Sequence, residues 1–163
     1  MKINPKRPSS LVYASENAST LAEMLLARAE LTPNEPAYAR RQGGHWHRTT
    51  WAQFAHSAKR VAGALYRIGI EVGDRIGILG PTQEPWCVYD IGAQLLGAVT
   101  FGIYPKQSPE QIRYLLDHSE ARVIFVGSEA ELDAVLEAAT ECENVEAVVP
   151  WQASWLANRT HPL

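Results

Sequence analysis

The sequence predicts an α/β fold: a mostly parallel sheet of at least four strands with helices on both faces, preceded by an N-terminal β-hairpin. Three observations lead there. Arg75–Leu79, Ala98–Ile103, Arg122–Val126 and Val145–Val149 are short strand-like runs. A helical pattern fills each gap between them, and such alternation marks parallel strands joined by crossover helices. Gly43-Gly44 separates Ala37–Arg41 from His45–Arg48, and paired glycines supply the positive φ of a hairpin turn.

A chain of 163 residues is the size of one domain. Its 46% hydrophobic and 20% charged fractions are ordinary for a globular protein. A net charge of −3 lacks the basic footprint expected of a nucleic-acid binder. The Trp and Tyr residues are expected among apolar neighbours, not Lys and Arg, which argues against a platform for stacking bases. Cys87 and Cys142 form no CxxC pair, have no His at metal-ligand spacing, and are expected to be reduced thiols.

Residues 1–19 are polar and Pro-containing, an expected N-terminal arm. Lys2, Lys6 and Arg7 precede no apolar core, so a secretory signal is not expected. No window approaches the ~20 apolar residues of a membrane span. A cytoplasmic protein follows as the expectation. Asn17-Ala18-Ser19 and Asn158-Arg159-Thr160 match the glycosylation sequon and are taken as chance.

The elements follow in order. Thr20 to Glu23 forms a capping box, in which hydroxyl and carboxylate each satisfy a free amide. Leu21, Met24 and Leu25 are expected on the inward face, and Pro33 closes the helix. Thr50 to Gln53 is a second box. Trp51, Phe54, Ala55, Ala58, Val61, Ala62, Leu65 and Ile68 then recur at helical spacing, and Gly69 supplies the stop. The segment Trp86–Leu96 is apolar nearly all round, broken by Asp90 and Gln94, so something is expected to pack on more than one side. Ser108-Pro109-Glu110-Gln111 starts another helix, with Ile112, Leu115 and Leu116 inward. Ser128 to Glu131 reads as a further capping box, with Leu132, Val135, Leu136 and Ala139 buried. Residues 20–150 make up the domain, and 151–163 is a tail without periodicity.

Few motifs carry chemistry. Gly77-Ile78-Leu79-Gly80 is too short for GxGxxG and lacks the Lys-Ser/Thr of a Walker loop. Close packing at Gly77 and a turn at Gly80 explain it better. His45 and His47 share one face of a strand, but with no third ligand nearby a solvated face is preferred to a metal site. No GxSxG elbow exists to pair with a His. Asp74 and Arg75 are expected to pair at a strand start. Open parallel sheets bind ligands at the carboxyl ends of their strands. Those loops are Pro81-Thr82-Gln83, Tyr104-Pro105-Lys106-Gln107 and Gly127-Ser128, and Thr82, Gln83, Tyr104 and Lys106 are the candidate substrate-facing residues. Ordinary βα connections account for the same residues, so both readings stand.

Several pieces, in order, resemble the N-terminal part of the AMP-forming acyl-CoA synthetases, within the adenylate-forming superfamily. They are Thr20–Glu23, Trp46 to Phe54, Ala62-Gly63-Ala64-Leu65 with Gly69, Gly73-Asp74-Arg75-Ile76, Trp86, Gly97-Ala98-Val99, Tyr104-Pro105, Ser108–Gln111 with Tyr114-Leu115-Leu116, and Ser119-Glu120-Ala121. Residues 80–104 are most similar to the long-chain fatty-acid branch. Thr82, Pro85 and Lys106 depart from the family's usual Asn, Glu and Thr.

The resemblance implies a partial N-terminal subdomain of the adenylate-forming fold. In the intact family it implies ATP, Mg²⁺ and coenzyme A, formation of an acyl-adenylate and then an acyl-CoA, and room for peripheral membrane association. The family's phosphate loop, its Tyr-Gly-x-Thr-Glu segment, its ribose-binding Asp and its C-terminal Lys have no counterpart in these 163 residues. The chain alone is therefore expected to be catalytically inactive and to hold no cofactor and no metal. The missing remainder of the synthetase is one expected partner. The alternative is a non-catalytic module that docks on a full-length homologue, through the segment Trp86–Leu96, or complements a separately encoded half. The same segment could also line an acyl tunnel.

Overall fold

The computed structural model describes residues 18–157, so most of the expected arm, Asn17 of the first sequon match, the whole of the second and the last residues of the expected tail lie outside the described residues. The chain opens with helix α1 (Leu21–Leu31), capped by the Thr20–Glu23 box. Its inward residues are Ala22 and Leu25, with Leu26 and Ala29 beside them. Leu21 and Met24, expected inside, are 60% and 41% exposed. The set 22, 25, 26, 29 is the stripe with unbroken helical spacing, and α1 has neighbours on that one side.

Strands β1 (Pro36–Gln42) and β2 (His45–Thr50) pair antiparallel, with Gln42 opposite His45 across the turn. Gly43 and Gly44 have φ of +58° and +81°, as this two-residue turn requires. Helix α2 (Trp51–Arg67) starts from the Thr50–Gln53 box. It buries Phe54, Ala55, Ala58, Ala62 and Leu65, while Ile68, past its last turn, stays exposed.

The central sheet is all parallel, in the order β4 (Val99–Ile103), β3 (Arg75–Leu79), β5 (Ala121–Val126), β6 (Ala147–Pro150). Alternation sends Ile76, Ile78, Val123 and Phe125 to one face and Leu79, Ile124 and Val126 to the other. The first face is covered by α2 and by helix α3 (Glu84–Gln94). The second is covered by α4 (Pro109–Ser119) and α5 (Glu129–Thr140), through Ile112, Leu116, Leu132, Val135 and Leu136. Each such side chain, buried outright, contributes about 1.5–3 kcal/mol over an exposed one.

The cover expected for the segment Trp86–Leu96 comes largely from within the chain. Val88 and Ile91 pack against Leu25, Phe54 and Ala55, while Trp86 and Tyr89 lie on the sheet. Its polar stripe also turns inward. Asp90 accepts from the Gln94 amide at 2.8 Å and from the Thr100 hydroxyl on β4.

Two local expectations are corrected. Ser128 caps α5 without the side-chain bond of a capping box. Glu131 instead accepts the Lys106 backbone N–H at 3.0 Å, where Lys106 holds a left-handed φ of 67°. Asp74 and Arg75 do not pair with each other. Arg122 takes Asp74 and also Glu146, while Arg75 reaches Glu120 and the Ser119 carbonyl. Adjacent strand residues point to opposite faces, and the neighbouring strand start at 120–122 offers partners to each.

Candidate functional site

Strand order places a topological switch point between β3 and β5. β3 connects outward through α3 to one side, and β5 through α5 to the other. Crevices at such points, beyond the carboxyl ends of the strands, are where open α/β sheets bind ligands. Gly80, Gly127 and Trp151 each follow the last residue of β3, β5 and β6, and the register aligns Leu79 with Val126 and Val126 with Pro150.

The crevice holds the Trp151 indole. A Cβ on Gly80 would stand 2.8 Å from the Gly127 Cα and 2.9 Å from the Trp151 ring. Backbone bonds fix the arrangement: Gly127 N–H donates to the Leu79 carbonyl at 2.7 Å, and Trp151 N–H to the Val126 carbonyl at 2.9 Å. Tyr89 stacks on Phe125 at 4.1 Å between ring centroids and reaches Trp151 at 6.1 Å. The Trp151 Nε1–H is buried with no hydrogen-bond acceptor among the described residues.

Beside this aromatic column lies a hollow of about 770 Å³. The hairpin residues 38–42 form one wall, residues 82–85 and Cys87 the floor, and Gly127, Trp151, Gln152 and Trp155 the far side. Arg40 sits 3.8 Å from Glu84 across it. Burial, together with the Glu84 carboxylate, raises the Tyr38 phenol above its ordinary range. Burial and the Asp90 charge likewise raise the Cys87 thiol.

Thr82 and Gln83 line this hollow, as their place in the β3 loop predicts. Tyr104 and Lys106 do not. They follow β4 at the edge of the sheet, where Tyr104 is 82% exposed. The sequence reading missed Arg40, Trp151 and Trp155. The signal lay in the two glycines at matched strand ends and an aromatic residue at the third.

The lining contains no His, and its Glu84 carboxylate lies 3.8 Å from Arg40. The indole stands against Gly80 and Gly127 at the strand ends, and Arg40 and Arg41 line the hairpin wall. No group of three or more His, Cys, Asp or Glu converges among the described residues, and His45 and His47 are exposed on the hairpin. No described helix is long and apolar enough to cross a membrane. The expected separation of aromatics from cations fails at Trp46, which is 67% exposed and lies opposite Arg41.

Comparison with known proteins gives a consistent answer. The family described as AMP-binding enzyme matches residues 25–161. Long-chain-fatty-acid–CoA ligase FadD15 of Mycobacterium bovis is 32% identical over 117 residues, covering 72% of this chain and 20% of that protein. Long-chain-fatty-acid–CoA ligase ACSBG2 of Xenopus laevis is 28% identical over 116 residues, covering 71% of this chain and 16% of that protein. The chain thus spans about a fifth or less of the length of these two relatives. Among solved structures, the inhibitor-bound N-terminal domain of FACL13 from Mycobacterium tuberculosis superposes with a TM-score of 0.72 at 26% identity, over 85% of this chain and 35% of that one. The adenylation–carrier didomain of a carboxylic acid reductase from Segniliparus rugosus, in complex with AMP, reaches a TM-score of 0.80 at 15% identity, over 89% of this chain and 23% of that one. At that identity the likeness shows the fold alone. The family match over most of the chain, the ligase relatives and the superposed N-terminal domain establish that this chain belongs to the AMP-binding enzyme family and corresponds to the amino-terminal region of its fatty-acid–CoA ligases.

Proposed function

We propose that this chain is the scaffold portion of a long-chain fatty acid–CoA ligase and that it does not adenylate a carboxylate by itself. The observation that carries this reading is Trp151. Its indole rests over Gly80 and Gly127 at the switch point, where a ligand-binding sheet would present open backbone amides. The hollow beside it supplies surface without a reactive pair. ATP, Mg²⁺ and coenzyme A belong, in this reading, to residues outside this chain.

Thr82 and Gln83 are the substrate-facing candidates, because they line the hollow next to the indole. Tyr104 and Lys106 are assigned to the sheet edge, where further polypeptide of an intact ligase would cover them. ATP–pyrophosphate exchange with the purified chain and a long-chain fatty acid tests the reading, with an intact ligase of the family as positive control. No exchange above background is expected. Fatty-acid-dependent exchange by the isolated chain would overturn it.

A further inference from the structure

The net charge of −3 conceals a segregation. Residues 36–70 carry six of the fifteen Lys and Arg and none of the eighteen Asp and Glu. That stretch is the hairpin and α2. Where α2 runs beside the start of α3, a groove of about 680 Å³ opens. Val61, Val88 and Tyr89 give it an apolar floor, and Arg60, Arg67 and Arg40 stand along its lip. Arg40 is engaged by Glu84 at 3.8 Å. Glu84 is the one carboxylate in the lining and faces Arg40, and among the described residues neither Arg60 nor Arg67 has an ion-pair partner.

We propose that this groove docks an acidic amphipathic helix of a partner polypeptide. Both walls are helices, so a third helix can set its ridges into the cleft. Its apolar stripe would cover Val61, Val88 and Tyr89. Arg60 and Arg67 are seven residues apart on α2, two turns or about 10.5 Å along the axis. Glu or Asp residues seven apart on the incoming helix would meet both guanidinium groups, and an Arg fork favours a carboxylate through paired hydrogen bonds. The curated relatives are several times longer than this chain, so proteins of this kind carry ample polypeptide to supply such a helix. The proposal does not depend on the ligase reading: the groove would dock the helix whether or not the chain catalyses anything.

The test uses the purified full chain and two fluorescein-labelled helical peptides. Both carry a Leu stripe at positions i, i+3, i+4 and i+7. One has Glu residues seven apart beside the stripe, and the other has Lys in their place. Fluorescence anisotropy should show saturable binding of the Glu peptide, weakening between about 50 mM and about 300 mM salt. The R60E/R67E variant, checked for native circular dichroism, should bind the Glu peptide about tenfold more weakly and should now prefer the Lys peptide. Absence of saturable Glu-peptide binding, or equal binding by the variant, would overturn the proposal. Phosphatidylglycerol vesicles and a DNA duplex serve as parallel probes. If either binds with the same arginine dependence while the Glu peptide does not, the groove recognises lipid or nucleic acid and the helix proposal fails.

Discussion

The Trp151 indole lies so close to Gly127 that a Cβ added there would stand 2.6 Å from the ring. The ring cannot simply yield, because its backbone N–H is held by Val126 and Tyr89 packs beside it. Gly127→Ala should therefore destabilise the chain by about 1–3 kcal/mol, the usual cost of overpacking. A lowered urea midpoint with an unchanged slope would show it. In a Trp151→Ala background the same substitution should cost far less, since the two residues are in contact and their effects couple.

Gly92 on α3 presents a sharper test, because two effects oppose each other. Alanine is favoured over glycine inside a helix by about 0.8–1.0 kcal/mol. Yet a Cβ at Gly92 would lie 2.6 Å from Val61 and 3.0 Å from the Ala58 carbonyl of α2. The clash should win, and Gly92→Ala should lower the urea midpoint. Adding Val61→Ala removes the nearer obstacle, and the double variant should recover part of the loss relative to the Val61→Ala single. A gain from Gly92→Ala alone would show that α2 and α3 are not in this contact.

Arg122 fastens three strand starts at once. Its guanidinium bonds Asp74 before β3, Glu146 before β6 at 2.8 and 2.7 Å, and the Gly69 carbonyl at 2.9 Å. Partial burial opposes ionisation of Asp74, but the Glu71 N–H and Arg122 outweigh it and hold the carboxyl below its ordinary range. A depressed carboxyl stabilises the fold above its unfolded pKa, about 3.9, and that stability disappears as pH falls through the folded value. Urea midpoints measured from pH 6 down to pH 2 should thus drop more steeply for the wild type than for Asp74→Asn. At pH 7, Arg122→Ala should cost about 1.5–3 kcal/mol, the range for hydrogen bonds to charged groups.

The parallel sheet and its helices were legible because each rests on a local signal. Three capping boxes at Thr20, Thr50 and Ser108 form as their spacing predicts, and apart from the exposed Ile68 the apolar stripes of α2 and α5 are buried or half-buried. Partners brought together by the sheet were not legible. Asp74 and Arg122 are 48 residues apart, and only strand order makes them neighbours. The same holds for Glu131, which abandons its capping role for the Lys106 amide. At the candidate site, Thr82 and Gln83 could be placed because they follow a predicted strand. Trp151 could not, because its role depends on Gly127 one strand away and Gly80 two strands away.

The two thiols should separate cleanly in a labelling experiment. Cys142 is 5% exposed, just beyond the end of α5, and its Sγ lies 3.3 Å from the Ala138 carbonyl. Burial first, and then the Asp117 charge, push its thiol up to about 12. Cys87 is exposed at the hollow, and its thiol is raised too, by burial and by Asp90. The thiolate is the reactive form, so alkylation depends on both access and ionisation. At pH 8 the native chain should take up one iodoacetamide, slowly and at Cys87, with the rate rising as pH is increased. In urea both cysteines should react at ordinary thiol rates. Rapid labelling of Cys142 in the native chain would show that the packing of α5 against α4 opens at that end, and Ile112 and Leu116 would then also lose their cover.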